Sequence, residues 1–99
     1  MNELNRYDEF WKYYTKFHLS SEAFLLYNTL LYIEKTQNGK STLYLDEKYL
    51  KKLSNLEGMH YKNAFHDLMK RNLVNYYPLN KRNIDMYILT EPGRWYSWI

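Results

Sequence analysis

The stretch EKYLKKLSNLEGMHYKNAFHDLMKRN, residues 47–72, decides the fold. Apolar residues recur every three or four positions on either side of a break at residues 54–58, as on the buried face of an amphipathic helix. The first segment carries Tyr49, Leu50 and Leu53 on one side, and the second carries Tyr61, Ala64, Phe65, Leu68 and Met69. The stretch therefore predicts two helices that flank a tight turn.

Two helices are predicted upstream of this pair. Ser20 has the side chain of an N-cap, and a helix is expected to run from there to a stop at Asn38-Gly39. An earlier helix, from about Asn5 to Phe17, is predicted by aromatic residues at helical spacing: Tyr7, Phe10, Trp11, Tyr14 and Phe17.

The remaining segments predict short strands. Residues 42–45 are β-prone and lead into Asp46, which is expected to cap the third helix. Residues 73–77 and 84–89 are rich in β-formers, and the loop between them, 78–83, makes a hairpin with a basic tip. The order of elements predicts a mainly α fold with a small β-hairpin, a winged helix-turn-helix. We expect one such domain over residues 1–99, with an aromatic tail at about 91–99.

Composition limits the classes of protein that fit. The chain has 99 residues, 45% of them hydrophobic, and no cysteine, which excludes disulfides and thiolate chemistry. No stretch approaches the roughly 18 apolar residues of a membrane span. We therefore expect a cytoplasmic protein that does not enter a membrane.

The positive charge is concentrated in one segment. Residues 1–47 carry five basic and seven acidic side chains, residues 83–99 carry one and two, and residues 48–82 carry eight and two. The predicted helix pair and hairpin thus hold a net charge of +6, which favours a polyanionic partner.

Duplex DNA is the partner that this pattern predicts. In a winged helix, the second helix of the pair enters the major groove and the hairpin lies along the phosphate backbone. The Asn63 amide can form two hydrogen bonds to adenine, and the Lys62 ammonium can donate to the acceptors of guanine. Lys81 and Arg82 can contact phosphates or the minor groove. The full candidate set is His60, Lys62, Asn63, His66, Lys70, Lys81, Arg82, Lys48, Lys51 and Lys52.

Several of these stretches resemble a known family. They are Phe10-Trp11, Leu19-Ser20 before a long helix, the turn from Leu53 to Gly58, and AFHDLMKRNLV at residues 64–74. Together, over about residues 8–90, they resemble the amino-terminal winged-helix domain of DnaD-like proteins and phage replisome organisers. The resemblance implies a role in replication initiation in low-GC Gram-positive bacteria, their phages or plasmids. We expect the chain to lack a counterpart of that family's carboxy-terminal domain. On this expectation the chain is either an excised domain or a small mobile-element protein that uses the same scaffold as a repressor or an inhibitor.

Other kinds of site fit the sequence poorly. His60 and His66 are six residues apart, whereas two metal ligands on a helix are usually four apart, and His18 is distant from both. Glu57, His60 and Asp67 are the residue types of acid–base catalysis, but the sequence has no phosphate-binding loop and no nucleophile elbow to accompany them. We expect no enzyme, no cofactor and no metal. Base stacking on single strands is a minor alternative, because Tyr7, Tyr14, Tyr27, Tyr49 and Tyr61 occupy predicted packing positions with hydroxyls at the surface.

Two functions stay open at this level. The first is double-stranded DNA binding, as a dimer, in replication initiation or in transcriptional control of a phage, plasmid or similar element. The second is an interaction module that docks onto a replication or host protein through the scaffold and the aromatic tail. That tail, with Trp95, Tyr96, Trp98 and Ile99, either folds back onto the first helix or forms a homodimer contact.

Overall fold

The computed structural model describes residues 6–37, 39–81 and 83–95. Most of this part of the chain is helical, and it carries a small antiparallel sheet. The elements follow the expected order: α1 Arg6–Lys16, α2 Ser21–Thr36, β1 Thr42–Asp46, α3 Glu47–Ser54, α4 Gly58–Lys70, β2 Val74–Lys81, β3 Ile84–Leu89, and a short 3-10 turn at Pro92–Arg94.

Both predicted helix caps are confirmed. The Ser20 hydroxyl accepts a hydrogen bond from the Ala23 amide at 3.1 Å, and α2 begins at the next residue. The Asp46 carboxylate accepts one from the Lys48 amide at 2.9 Å. Each cap satisfies a backbone donor that the first helical turn leaves without a partner, so each helix begins at a defined residue.

A three-residue connector, residues 55–57, joins α3 to α4. Asn55 adopts a left-handed conformation, and the Leu56 amide donates to the Lys51 carbonyl at 3.2 Å, which closes the last turn of α3. Leu56 is buried. Gly58 opens α4 at a φ of +58°, where any other side chain would strain the backbone.

The β structure is larger than the predicted hairpin. β3 lies in the middle of a three-stranded sheet and pairs antiparallel with both β1 and β2. The whole of β1 pairs with β3, from Thr42 opposite Ile88 to Asp46 opposite Ile84. Leu43 and Leu45 alternate inward and are buried. The short strand predicted at residues 42–45 is thus confirmed, and its inward-facing leucines give it a core face in the sheet.

The core is centred on α2. This helix packs against α3, α4 and β1, and its aromatic residues meet α1, where the Phe10 ring lies 4.5 Å from that of Tyr27. Phe65 joins α4 to the sheet, with its ring 5.4 Å from Tyr76 and 5.7 Å from Tyr87. The sheet and the last helix are therefore held together by aromatic contacts.

Trp95 folds back onto the first helix and is completely buried. Its indole ring meets those of Phe10, Tyr13 and Tyr27 at 5.7–6.4 Å, and its N–H donates to the Thr90 carbonyl at 3.1 Å. For this residue the fold-back alternative is correct. The remaining tail residues, 96–99, lie outside the described part of the chain.

Some expected packing positions are wrong. Tyr7, Tyr49 and Leu53 are each nearly half exposed. On α3 only the side that carries Leu50 and Ser54 is covered, because an eight-residue helix at the edge of the fold has neighbours on one side only. Tyr27 is more deeply buried than expected. Its hydroxyl is buried without a hydrogen-bond partner among the described residues, and burial raises the pKa of Tyr27.

No helix in the described ranges is both long and apolar enough to cross a lipid bilayer.

Replacing Trp95 with Ala should lower the free energy of unfolding by about 3–5 kcal/mol, because a fully buried indole leaves a cavity among three aromatic rings. Urea denaturation followed by circular dichroism measures the loss. Trp11→Ala is the control, since Trp11 is 39% exposed and should cost clearly less. A loss below about 1 kcal/mol for Trp95→Ala would show that its burial contributes little.

Candidate nucleic-acid interface

The outward face of α4 is open to solvent. Tyr61, Ala64 and Leu68 bury one side of the helix, and α4 lies against α2. All the α4 residues that the sequence nominated are exposed: His60, Lys62, Asn63, His66 and Lys70.

Four of the exposed side chains form a ridge along the middle of this face. At 100° per residue, Met59, Asn63, His66 and Lys70 fall within a narrow arc opposite the buried side. Within the described residues, Asn63, His66 and Lys70 have no hydrogen bond or ion pair from their side chains. The single carboxylate in α4, Asp67, lies off the ridge and accepts a hydrogen bond from Arg71 at 2.9 Å. The ridge itself carries no negative charge.

His60 lies at the flank of α4 rather than on the ridge. Its ring nitrogen Nδ1 contacts the Glu22 carboxylate at the start of α2. The side chain stays exposed, but this contact directs it toward α2. Of the nominated helix residues, His60 is therefore the one turned away from the others.

The opposite flank of α4 borders a groove against the sheet. Lys62 and His66 line a pocket of about 320 Å³, which is also lined by Tyr76 on β2 and Glu47 on α3. A second pocket of about 550 Å³ also contains Tyr76 and Glu47 and is lined by Lys48, Lys51, Pro78 and Asn83. The two pockets share Glu47 and Tyr76, so Lys62 of α4 and Lys48 and Lys51 of α3 line one groove beside the hairpin.

The three α3 lysines differ in whether their ammonium groups have partners within the protein. Lys51 Nζ lies 3.0 Å from the Glu47 carboxylate and 5.2 Å from the centre of the Tyr61 ring. Its charge is therefore partly neutralised and its side chain is held against the protein. Lys48 and Lys52 are exposed and have no ion pair in the described part of the chain. They are the α3 cations available to an external anion.

The groove is also lined by carboxylates that already have partners. Asp85 accepts hydrogen bonds from the Tyr76 hydroxyl at 2.7 Å and from the Leu79 amide at 3.3 Å. The bond to the Asp85 carboxylate raises the pKa of Tyr76 to about 12, because it stabilises the protonated hydroxyl. Asp46 caps α3 and Glu47 pairs with Lys51. These three acids line the second pocket together with Lys48 and Lys51, and none of them belongs to α4.

The nominated hairpin tip is described only in part. The backbone of Lys81 belongs to β2, opposite Ile84, but Arg82 lies outside the described residues and the side chain of Lys81 is not described.

Sequence reasoning missed two features of the surface. Met59 lies on the ridge and is 64% exposed, and its signal was its position four residues before Asn63. The Glu47–Lys51 ion pair was also predictable from the sequence, since opposite charges four residues apart on a helix attract each other.

Comparison of the chain with protein-family models, with curated proteins and with solved structures finds no match. The resemblance to DnaD-like proteins stays a prediction.

Replacing Asp85 with Asn should lower the pKa of Tyr76 from about 12 toward the ordinary tyrosine value of about 10. The amide keeps an acceptor for the hydroxyl but removes the negative charge that opposes ionisation. NMR titration with ¹³C-labelled tyrosine ring carbons measures the shift. Glu9→Gln, a loss of charge on α1, should leave the titration of Tyr76 unchanged. An unchanged pKa in Asp85→Asn would show that the carboxylate is not the cause.

Proposed function

We propose that this chain is a winged helix-turn-helix protein that binds duplex DNA, with α4 in the major groove and the β2–β3 hairpin beside the backbone. The observation that carries the proposal is the ridge of α4, which is exposed and free of carboxylates. Lys62 lies beside the ridge, and Lys48 and Lys51 of α3 line a pocket that shares Glu47 and Tyr76 with the pocket of Lys62. The succession of α2, β1, α3, α4 and the hairpin, and the strand order β1-β3-β2, are those expected of a winged helix.

The dimensions of α4 are compatible with such a role. A helix with its side chains is about 10–12 Å across, and the major groove is about 12 Å wide. Thirteen residues give α4 a length of about 20 Å, which exceeds the rise of five base pairs. The connector and the flank of α3 would then lie against the phosphates that border the groove.

Each exposed side chain has a role that its chemistry supports. Asn63 would form paired hydrogen bonds to an adenine, and His66 would donate to a base or a phosphate. Lys62 would reach a guanine or the backbone, and Lys70, Lys48 and Lys52 would neutralise phosphates, as Lys81 and Arg82 would from the hairpin tip. Lys51 and His60 are engaged within the protein and would contribute less.

The biological setting is also a proposal. The resemblance to replisome organisers supports a role in replication initiation or transcriptional control of a phage, plasmid or similar element. A dimer would place two α4 helices on neighbouring half-sites, about one helical turn of DNA apart.

Binding to a random-sequence duplex should weaken steeply with salt. If the five cations assigned to phosphates each make one contact, the slope of log K against log [salt] should be about −4.5. Lys52→Ala should reduce that slope by about one and weaken binding to all duplexes alike. Fluorescence anisotropy at several ionic strengths measures both quantities.

Lys35→Ala is the matched control, because it removes one exposed lysine from the far end of α2. It should change the slope much less than Lys52→Ala does. Absence of duplex binding, or an affinity independent of salt, would contradict the proposed function.

A second candidate is the protein-interaction module, which one feature of the sheet supports. Tyr44, Met86 and Tyr77 face each other across the three strands on the side away from α4, and both tyrosines are about half exposed. Such a row is typical of a contact surface. Trp95 is not available to such a partner, since it belongs to the core, and the tail residues 96–99 lie outside the described part of the chain.

The second candidate predicts that Tyr44→Ser with Tyr77→Ser abolishes capture of a protein partner and leaves duplex binding intact. Pull-down and anisotropy on the same preparation separate the two activities. Tyr32→Ser, on the exposed side of α2, is the control. Capture by the double variant at the level of the unmodified protein would contradict a role for this row.

A further inference from the structure

Met59 is the most exposed large apolar side chain among the described residues, at 64%. It lies in the first turn of α4, next to Gly58, and makes no part of the buried core. Its neighbour His60 is turned toward Glu22 on α2. The outward side of the first turn is therefore formed by the Met59 thioether chain.

The position of Met59 relative to Asn63 is fixed by the helix. The two residues are one turn apart on the same ridge, about 6 Å along the axis. In helix-turn-helix proteins the N-terminal part of the recognition helix is the part that contacts base edges. Met59 and Asn63 both lie in that part of α4, whereas Lys70 ends the ridge at the other terminus.

The major groove offers an apolar side chain one characteristic target. Thymine presents a C5 methyl group at the groove edge, and the other three bases present only polar groups or hydrogen there. A methionine is long, unbranched and flexible, so it can close around a methyl group without a preformed pocket. A separation of 6 Å corresponds to between one and two base-pair steps of about 3.4 Å each.

We propose that Met59 contacts the C5 methyl of a thymine one or two base pairs from the adenine bound by Asn63. The inference rests on the proposed function and makes it more specific: α4 would select a site with thymine and adenine at that spacing. Met69 is also exposed, but it lines the groove against Tyr76, toward the other end of the helix. It is therefore the matched control.

The experiment begins with selection of a preferred duplex by the unmodified protein from a randomised pool. Each thymine of the selected site is then replaced by deoxyuridine, which lacks only the methyl group. At one thymine, one or two base pairs from an adenine, this replacement should weaken binding about fourfold, the effect of one methyl group leaving an apolar contact. Met59→Ala should bind the two duplexes equally, while Met59→Leu and Met69→Ala should keep the preference.

The possible outcomes distinguish duplex binding by the protein from the role of Met59 within it. Absence of binding to every duplex would overturn the proposed function itself. Duplex binding with no effect of deoxyuridine at any position, or a selected site without thymine at that spacing, would overturn only the role of Met59. An equal preference in Met59→Ala and the unmodified protein would do the same. Circular dichroism of Met59→Ala checks that the fold is kept, as expected for so exposed a side chain.

Discussion

Three buried positions in α4 fix the direction of every other side chain in that helix. Tyr61, Ala64 and Leu68 lie on the covered side, and the helical repeat then places Met59, Asn63, His66 and Lys70 opposite them. The packing of α4 against α2 and, through Phe65, against the sheet is thus the constraint on which the surface depends. A shift of one residue would turn the helix by about 100° and move both the ridge and the buried side chains out of their present positions.

Features set by near neighbours in the chain were predictable. The caps at Ser20 and Asp46, the turn at Gly58 and the outward positions of α4 follow from local side chains and helical spacing. Features set by distant segments were not. The pairing of β1 with β3 joins residues 38 to 46 positions apart, and the His60–Glu22 contact spans 38. The sequence showed that Tyr49 could be buried, but not that α3 has neighbours on one side only.

Two ion pairs of Arg6 connect the first helix to the rest of the fold. Arg6 on α1 pairs with the largely buried Glu34 on α2 and lies 3.6 Å from Glu91, before the 3-10 turn. Burial raises the pKa of Glu34, and the guanidinium opposes that rise. Arg6 therefore links α1 both to α2 and to the segment that leads to Trp95.

The connector between α3 and α4 bears on the entropy of binding. Its left-handed Asn55, its buried Leu56 and its glycine at positive φ leave few alternative backbone conformations. Lys48 and Lys52 on one helix and Asn63 on the next are therefore carried at a fixed separation before any ligand arrives. A surface organised in advance loses little conformational freedom on association, so more of each contact appears as affinity. If α4 binds duplex DNA as proposed, lengthening the connector would keep every proposed contact residue and still weaken binding.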